Sequence, residues 1–263
     1  MSAGAGHRPG TSVPLLAVAH GSRDPRSAQA VSAVFDRVRA LRPGLDVRLS
    51  FLDHVAPAAE EALDELASGG AGEVVVLPAL LTAAFHSKVD LPSVLDRARE
   101  RGPWLRLHYA DTLGPHPLLL DALERRLAEA GAHAEPGTAL VLASAGSSDS
   151  GANAVIRSMA RELAERGPWG EVVAAYASAS EPSPGRAVRE LLERGHRRVA
   201  VSGYLLAPGF FSDRVREQST AAGASVVADS LGDVPELARV ALERYDAAVA
   251  ARHAHVRESA ARP

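Results

Sequence analysis

Short runs rich in Val, Leu and Ala alternate along the chain with longer segments whose apolar positions recur every three to four residues. In the first half the short runs are Leu15–Ala19, Val47–Leu52, Val74–Leu77 and Leu105–Tyr109. Each precedes an amphipathic helical pattern, at Ser27–Leu41, Ala58–Ala67, Val89–Arg101 and Pro117–Ala130. Strand–helix alternation of this kind predicts an α/β fold, with a parallel sheet covered by helices on both faces. Asp24-Pro25 is a helix start: the carboxylate can cap orphan N–H groups, and proline fits the first helical position. "RPG" at Arg42–Gly44 closes that helix.

The second half repeats the first. At an offset of 125 residues, "HGSRD" at His20 meets "AGSSD" at Ala145. Gly21, Ser22 and Asp24 then recur as Gly146, Ser147 and Asp149, and Pro57 as Pro182. "LLTAAFHS" from Leu80 meets "LLAPGFFS" from Leu205. Beyond that the register slips, and "TLGPHPLLLDAL" from Thr112 resembles "SLGDVPELARVAL" from Ser230 at a shorter offset. The expected architecture is two tandem, homologous, doubly wound parallel-sheet domains of the flavodoxin or Rossmann type, with a cleft between them. They span 13–131 and 132–250, joined near Gly131–Gly137. A flexible tail is expected over 1–12 and a polar tail over 251–263.

Ligands of parallel α/β sheets bind beyond the carboxyl ends of the strands, where strand order reverses. His20 follows the first strand, and Asp53 and His54 follow the second. His86 and Lys88 follow the third, and Asp111 the fourth. A strand order of 2-1-3-4 would let His20 and His86 face each other across a cleft. In the repeat, His20 becomes Ala145, Asp53 becomes Ser178 and His86 becomes Phe211. The scaffold positions survive and the ionisable ones do not, which predicts one working site in the first half and a retired copy in the second. Two imidazoles and a carboxylate suit a borderline divalent metal, and equally suit proton transfer near neutral pH.

Composition narrows the field. The 263 residues are 46% hydrophobic and carry a net charge of −3, which points to neither nucleic acid nor an anionic membrane as partner. Without cysteine, disulfides, thiolate metal sites and cysteine nucleophiles are excluded. No apolar run reaches the roughly 18 residues needed to cross a bilayer. The first twelve residues lack the apolar stretch of a signal peptide. A cytoplasmic protein is the expectation.

Other signals are less specific. "GSRDPRS" could cradle an anion at a helix N-terminus, but lacks the glycine spacing of a P-loop. Arg23, Arg26 and Lys88 could bind ligand carboxylates or could be solvated surface charges. His54 is either a fourth site residue or simply a residue of the loop. His7, His133, His196, His253 and His255 fall in tails or turns and are expected to be exposed. Ser22 lies near His20, but no G-x-S-x-G elbow surrounds it.

"LLAVAHGSRDPRS", "FLDHVAPAAEEAL" and "VVVLPALLTAAFHSKVDLPSVL" together resemble the sirohydrochlorin cobalto/ferrochelatase family of class II chelatases, in its long form with two homologous halves. The pattern includes Pro78, Leu81, His86, Asp90, Leu91 and Pro92. The resemblance implies a chelatase-like fold, with His20 and His86 as active-site histidines and Asp53 where the family usually carries Glu. It implies insertion of Fe²⁺ or Co²⁺ into an anionic tetrapyrrole, for sirohaem or cobalamin, with the metal as substrate and no organic cofactor. Ser22, Arg23, Lys88 and Phe211 are then the expected substrate contacts, and Phe211 would lie against the macrocycle face. Alternatives are nickel or another tetrapyrrole, a carrier without turnover, and a bilobal receptor, against which the missing export signal argues. A chain carrying both halves is expected to act as a monomer.

Overall fold

The computed structural model describes residues 12–82 and 91–260. It contains two four-stranded parallel sheets. The first has the order β2-β1-β3-β4, formed by β1 (Leu15–Ala19), β2 (Val47–Phe51), β3 (Glu73–Pro78) and β4 (Arg106–Tyr109). The second has the order β6-β5-β7-β8, formed by β5 (Thr138–Ser144), β6 (Glu171–Tyr176), β7 (Arg198–Tyr204) and the two-residue β8 (Val226–Val227). The central strands β1 and β5 are buried along their whole length, as expected of strands covered on both faces. In register, Leu15 pairs with Val47 on one side and Val75 on the other.

The helices are α1 (Pro25–Leu41), α2 (Ala59–Ser68), α3 (Leu91–Arg101), α4 (Pro117–Glu129), α5 (Ser150–Arg166), α6 (Pro184–Glu193), α7 (Phe210–Ala221) and α8 (Pro235–Ala260). The α1 helix starts two residues before the expected Ser27 because the Asp24 carboxylate accepts from the Arg26 N–H and Pro25 occupies the first helical position. Asp149 caps α5 in the same way. Both α4 and α8 begin at prolines, Pro117 and Pro235, which lie in the slipped register of the repeat.

Alternation along the strands divides the core. Leu16, Val18, Val74 and Val76 pack with α2 and α3 in one cluster, and Val141, Val199 and Val201 pack with α6 and α7 in another. The opposite faces, through Leu15, Ala17, Val75, Leu77, Leu140 and Leu142, join α1, α4, α5 and α8 in a single cluster shared by both halves. In this shared layer α4 contacts β7 of the second sheet, while α8 contacts β3 and β4 of the first. The packing therefore does not follow the repeat boundary expected at 131/132. Each half lends its last helix to the other half's sheet. Ion pairs join the layer, Arg125 to Glu236 at 2.6 Å and Arg42 to Asp246 at 2.5 Å.

The segment from 251, expected as a polar tail, continues α8 to Ala260. Arg252 pairs with Glu73 at the start of β3, giving this last part of the helix a place on the first sheet. His196, expected to be exposed, is partly buried, its Nε2 3.2 Å from Glu171. Among the described residues no helix is long and apolar enough to cross a membrane.

Candidate functional site

His20 leaves the carboxyl end of β1, at the point where strand order reverses. The β1–β2 ladder runs past the strand ends: Leu52 N–H donates to the Ala19 carbonyl at 2.9 Å and Asp53 N–H to the His20 carbonyl at 3.0 Å. This holds residues 20 and 53 side by side. Gly21 makes the crossing possible. Its φ is +92°, and a Cβ there would stand 1.8 Å from the Asp53 carbonyl oxygen. Gly146 has the same task in the second half, with φ +83° and a Cβ position 1.9 Å from the Ser178 carbonyl oxygen. The loop after β2 then turns through a left-handed residue, His54 at φ 63°, and its counterpart after β6 turns through Ala179 at φ 56°. Cis peptide bonds precede Pro57 and Pro182. The repeat is thus a repeat of backbone conformation, with different side chains placed on it.

A cleft of ≈ 460 Å³ opens between the two sets of strand ends. From the first half, His20, Ser22, Arg23, His54, Leu81 and Thr82 line it. From the second, Ala145, Asn153, Tyr204, Phe210 and Phe211 line it. One wall carries imidazole, guanidinium and hydroxyl groups, and the other is largely apolar and aromatic. Phe210 and Phe211, at the start of α7, meet edge to face with centroids 5.3 Å apart. They are 68% and 38% exposed, an unusual display for two large apolar rings and one suited to covering a flat apolar ligand.

The expected site residues separate into three groups. His20, Ser22, Arg23 and Phe211 all line the cleft. Asp53 stands beside it, its side chain 58% exposed, with Oδ2 3.2 Å from His54 Nε2 and Oδ1 accepting the His54 N–H at 2.8 Å. His86 and Lys88 lie outside the described residues. Among the described residues no three His, Cys, Asp or Glu side chains form a metal-holding group.

The anion cradle considered for "GSRDPRS" is occupied by the protein itself. Ser22 Oγ accepts the Asp24 N–H, and the Asp24 carboxylate caps α1. Side-chain and backbone hydrogen bonds from Arg26 hold that carboxyl below its ordinary range. Arg26 is also paired with Asp213 of α7 at 2.6 Å, so it bridges the halves instead of facing ligand.

The second half's loop is closed on itself. Ser178 Oγ donates to the Ala145 carbonyl at 2.9 Å. Asn153 Nδ2 donates to the Ser147 carbonyl at 2.7 Å, and Asn153 Oδ1 accepts the Ser147 N–H at 3.1 Å. The matching first-half residue is Ala28, so the His20 loop lacks this amide clamp. Sequence reasoning missed Phe210, Tyr204 and Asn153. Phe210 could have been found from the doubled aromatic in "PGFFS" at a predicted strand end. No local pattern marks Tyr204 or Asn153.

The CbiX family model matches this chain twice, over residues 14–130 and 139–248. A sirohydrochlorin cobaltochelatase of Priestia megaterium is 29% identical over 210 residues, 77% of this chain and 67% of that protein. A sirohydrochlorin ferrochelatase of the same organism is 27% identical over 233 residues, 86% of each. Among solved structures, SirB from Bacillus subtilis with Fe³⁺ superposes with a TM-score of 0.79 at 25% identity, covering 89% of this chain and 94% of that one.

Proposed function

The chain belongs to the CbiX family, and from that premise we propose that it inserts Fe²⁺ or Co²⁺ into sirohydrochlorin, in the making of sirohaem or cobalamin. The observation that carries this reading is the asymmetry of the cleft. Imidazoles of the first half stand opposite an aromatic wall of the second, on two backbones that otherwise repeat each other.

Metal insertion exchanges two pyrrole N–H protons for one divalent ion, which sheds its water as it enters. In this reading His20, at the strand switch point, meets the ion, and His86, the second histidine of the sequence pattern, is its partner. Imidazole nitrogens suit Fe²⁺ and Co²⁺. Asp53 brings negative charge to the same edge. Phe210 and Phe211 lie against the face of the macrocycle, and Ser22 and Arg23, with Lys88 farther along the chain, receive its carboxylates. The metal is a substrate, and the reaction as read needs no organic cofactor. The second half supplies a wall that a single-half chain would have to borrow, which supports a monomer.

The test is anaerobic incubation of the purified protein with sirohydrochlorin and Fe²⁺ or Co²⁺, followed by absorbance against a protein-free control. Multiple turnovers are expected. Metallated product limited to one equivalent per chain would identify a carrier instead. His20→Ala should lose most of the rate with unchanged far-UV circular dichroism.

A further inference from the structure

The Asp53 carboxylate is turned onto its neighbour. Both oxygens are engaged by residue 54, one through the backbone N–H at 2.8 Å and one against the ring Nε2 at 3.2 Å. His54 lines the cleft and Asp53 does not. We propose that His54 is the imidazole donor that the β2–α2 loop presents to the incoming divalent ion, and that Asp53 is a positioning residue acting through it. The proposal rests on the chelatase reading and changes its third participant.

Three observations support it. A carboxylate beside Nε2 favours the tautomer with the proton there, leaving the lone pair on Nδ1. A carboxylate behind a metal-binding imidazole is the usual means of fixing its ring and raising its donor strength. Second, for Asp53 to ligate directly it would have to leave both contacts with residue 54. Third, the internal repeat provides a control. The left-handed turn at His54 recurs at Ala179, φ 63° and 56°, so the fold builds this turn with or without an imidazole. The half that lost His20 to Ala145 also lost His54 to Ala179. An imidazole kept only for the loop's shape would have no reason to disappear with the site.

The experiment has a spectroscopic and a kinetic arm. The full chain is labelled with ¹⁵N-histidine, and long-range ¹H–¹⁵N spectra are taken at a pH where the rings are neutral, with His54→Ala identifying the His54 signals. The expected parent spectrum shows His54 with Nε2 protonated, Asp53→Asn weakens that preference, and added Zn²⁺ moves the His54 Nδ1 resonance. In Co²⁺ insertion, His54→Ala and Asp53→Asn should each lower kcat at least tenfold with KM for sirohydrochlorin little changed. The double variant should fall within about twofold of His54→Ala, because two residues acting as one unit are not additive. An Nδ1 resonance indifferent to Zn²⁺, or an inactive Asp53→Asn beside a fully active His54→Ala, would overturn the proposal. If the parent itself fails to metallate sirohydrochlorin, the chelatase reading falls, and the Zn²⁺ response alone decides the role of His54.

Discussion

The Tyr204 hydroxyl, at the end of β7 in the second half, donates to the Leu81 carbonyl in the first half at 2.8 Å. Tyr204 is 3% exposed, and burial pushes its phenol well above its ordinary range, so it acts as a neutral donor. Gly114 packs beside this contact, where a Cβ would fall 2.0 Å from the hydroxyl and 2.4 Å from the carbonyl oxygen. Leu81 and Thr82 are cleft residues, so the second half holds the first half's cleft wall by its backbone. Tyr204→Phe keeps the ring and removes the donor from the part-buried Leu81 carbonyl. It should cost about 0.5–1.5 kcal/mol in denaturant unfolding.

Gly21 and Gly146 allow a direct comparison. Alanine at either position meets a backbone oxygen and an unfavourable φ, so Gly21→Ala and Gly146→Ala should both lower stability by more than about 1 kcal/mol. Only Gly21→Ala pushes the His20 and Asp53 backbones apart. At a temperature where both variants remain folded, Gly21→Ala should lose chelatase rate severely and Gly146→Ala should retain most of it. Equal losses would mean that the second loop also touches the reaction.

Phe210 and Phe211 are displayed in the cleft instead of packed in the core. Truncating either ring removes apolar surface and stacking from the ligand, worth ~1–2 kcal/mol. Phe211→Ala and Phe210→Ala should raise KM for sirohydrochlorin by roughly 5- to 30-fold, with smaller changes in kcat and in melting temperature. Adding histidines back to the copy, as Ala145→His with Phe211→His, should not raise the rate, because Ser178 and Asn153 keep that loop closed on itself.

The exchange of terminal helices makes the halves interdependent. A chain ending at Val234 lacks α8 and uncovers β3 and β4 of the first sheet, although it deletes no residue of the first repeat. It should lose cooperative thermal unfolding altogether. A surviving sharp transition from the first half, followed by circular dichroism, would contradict the shared core.

His108, on β4, reports on the docking of α8. Burial holds its imidazole below the ordinary value of 6.5, against the opposing pull of Glu73, with Arg252 and Arg106 also close. The unfolded chain therefore takes up this proton at a higher pH than the folded one. The contribution to stability is complete above pH 6.5 and declines as pH falls toward the folded-state value. His108→Gln should flatten the fall in melting temperature between about pH 7 and 5. An unchanged pH profile would show that other groups carry it.

The strands and helices of the first half, to within a residue or two, and the duplication were legible in the chain alone. These follow from local physics: short apolar runs that suit a doubly covered strand, an Asp-Pro helix start, and glycines recurring where the backbone must cross. The sequence also marked His20, because an imidazole at a strand end has no packing role to explain it. Tertiary structure alone decided which sheet each amphipathic helix covers. The apolar faces of α4 and α8 announce burial without naming a partner, and they cross between the halves. It also decided where the Asp53 carboxylate points, because a side chain leaving a left-handed turn is aimed by backbone geometry and by its neighbour's ring, neither of which is written in spacing. The Tyr204–Leu81 bond belongs to the same class: it joins residues far apart in sequence that meet only when both sheets share one core.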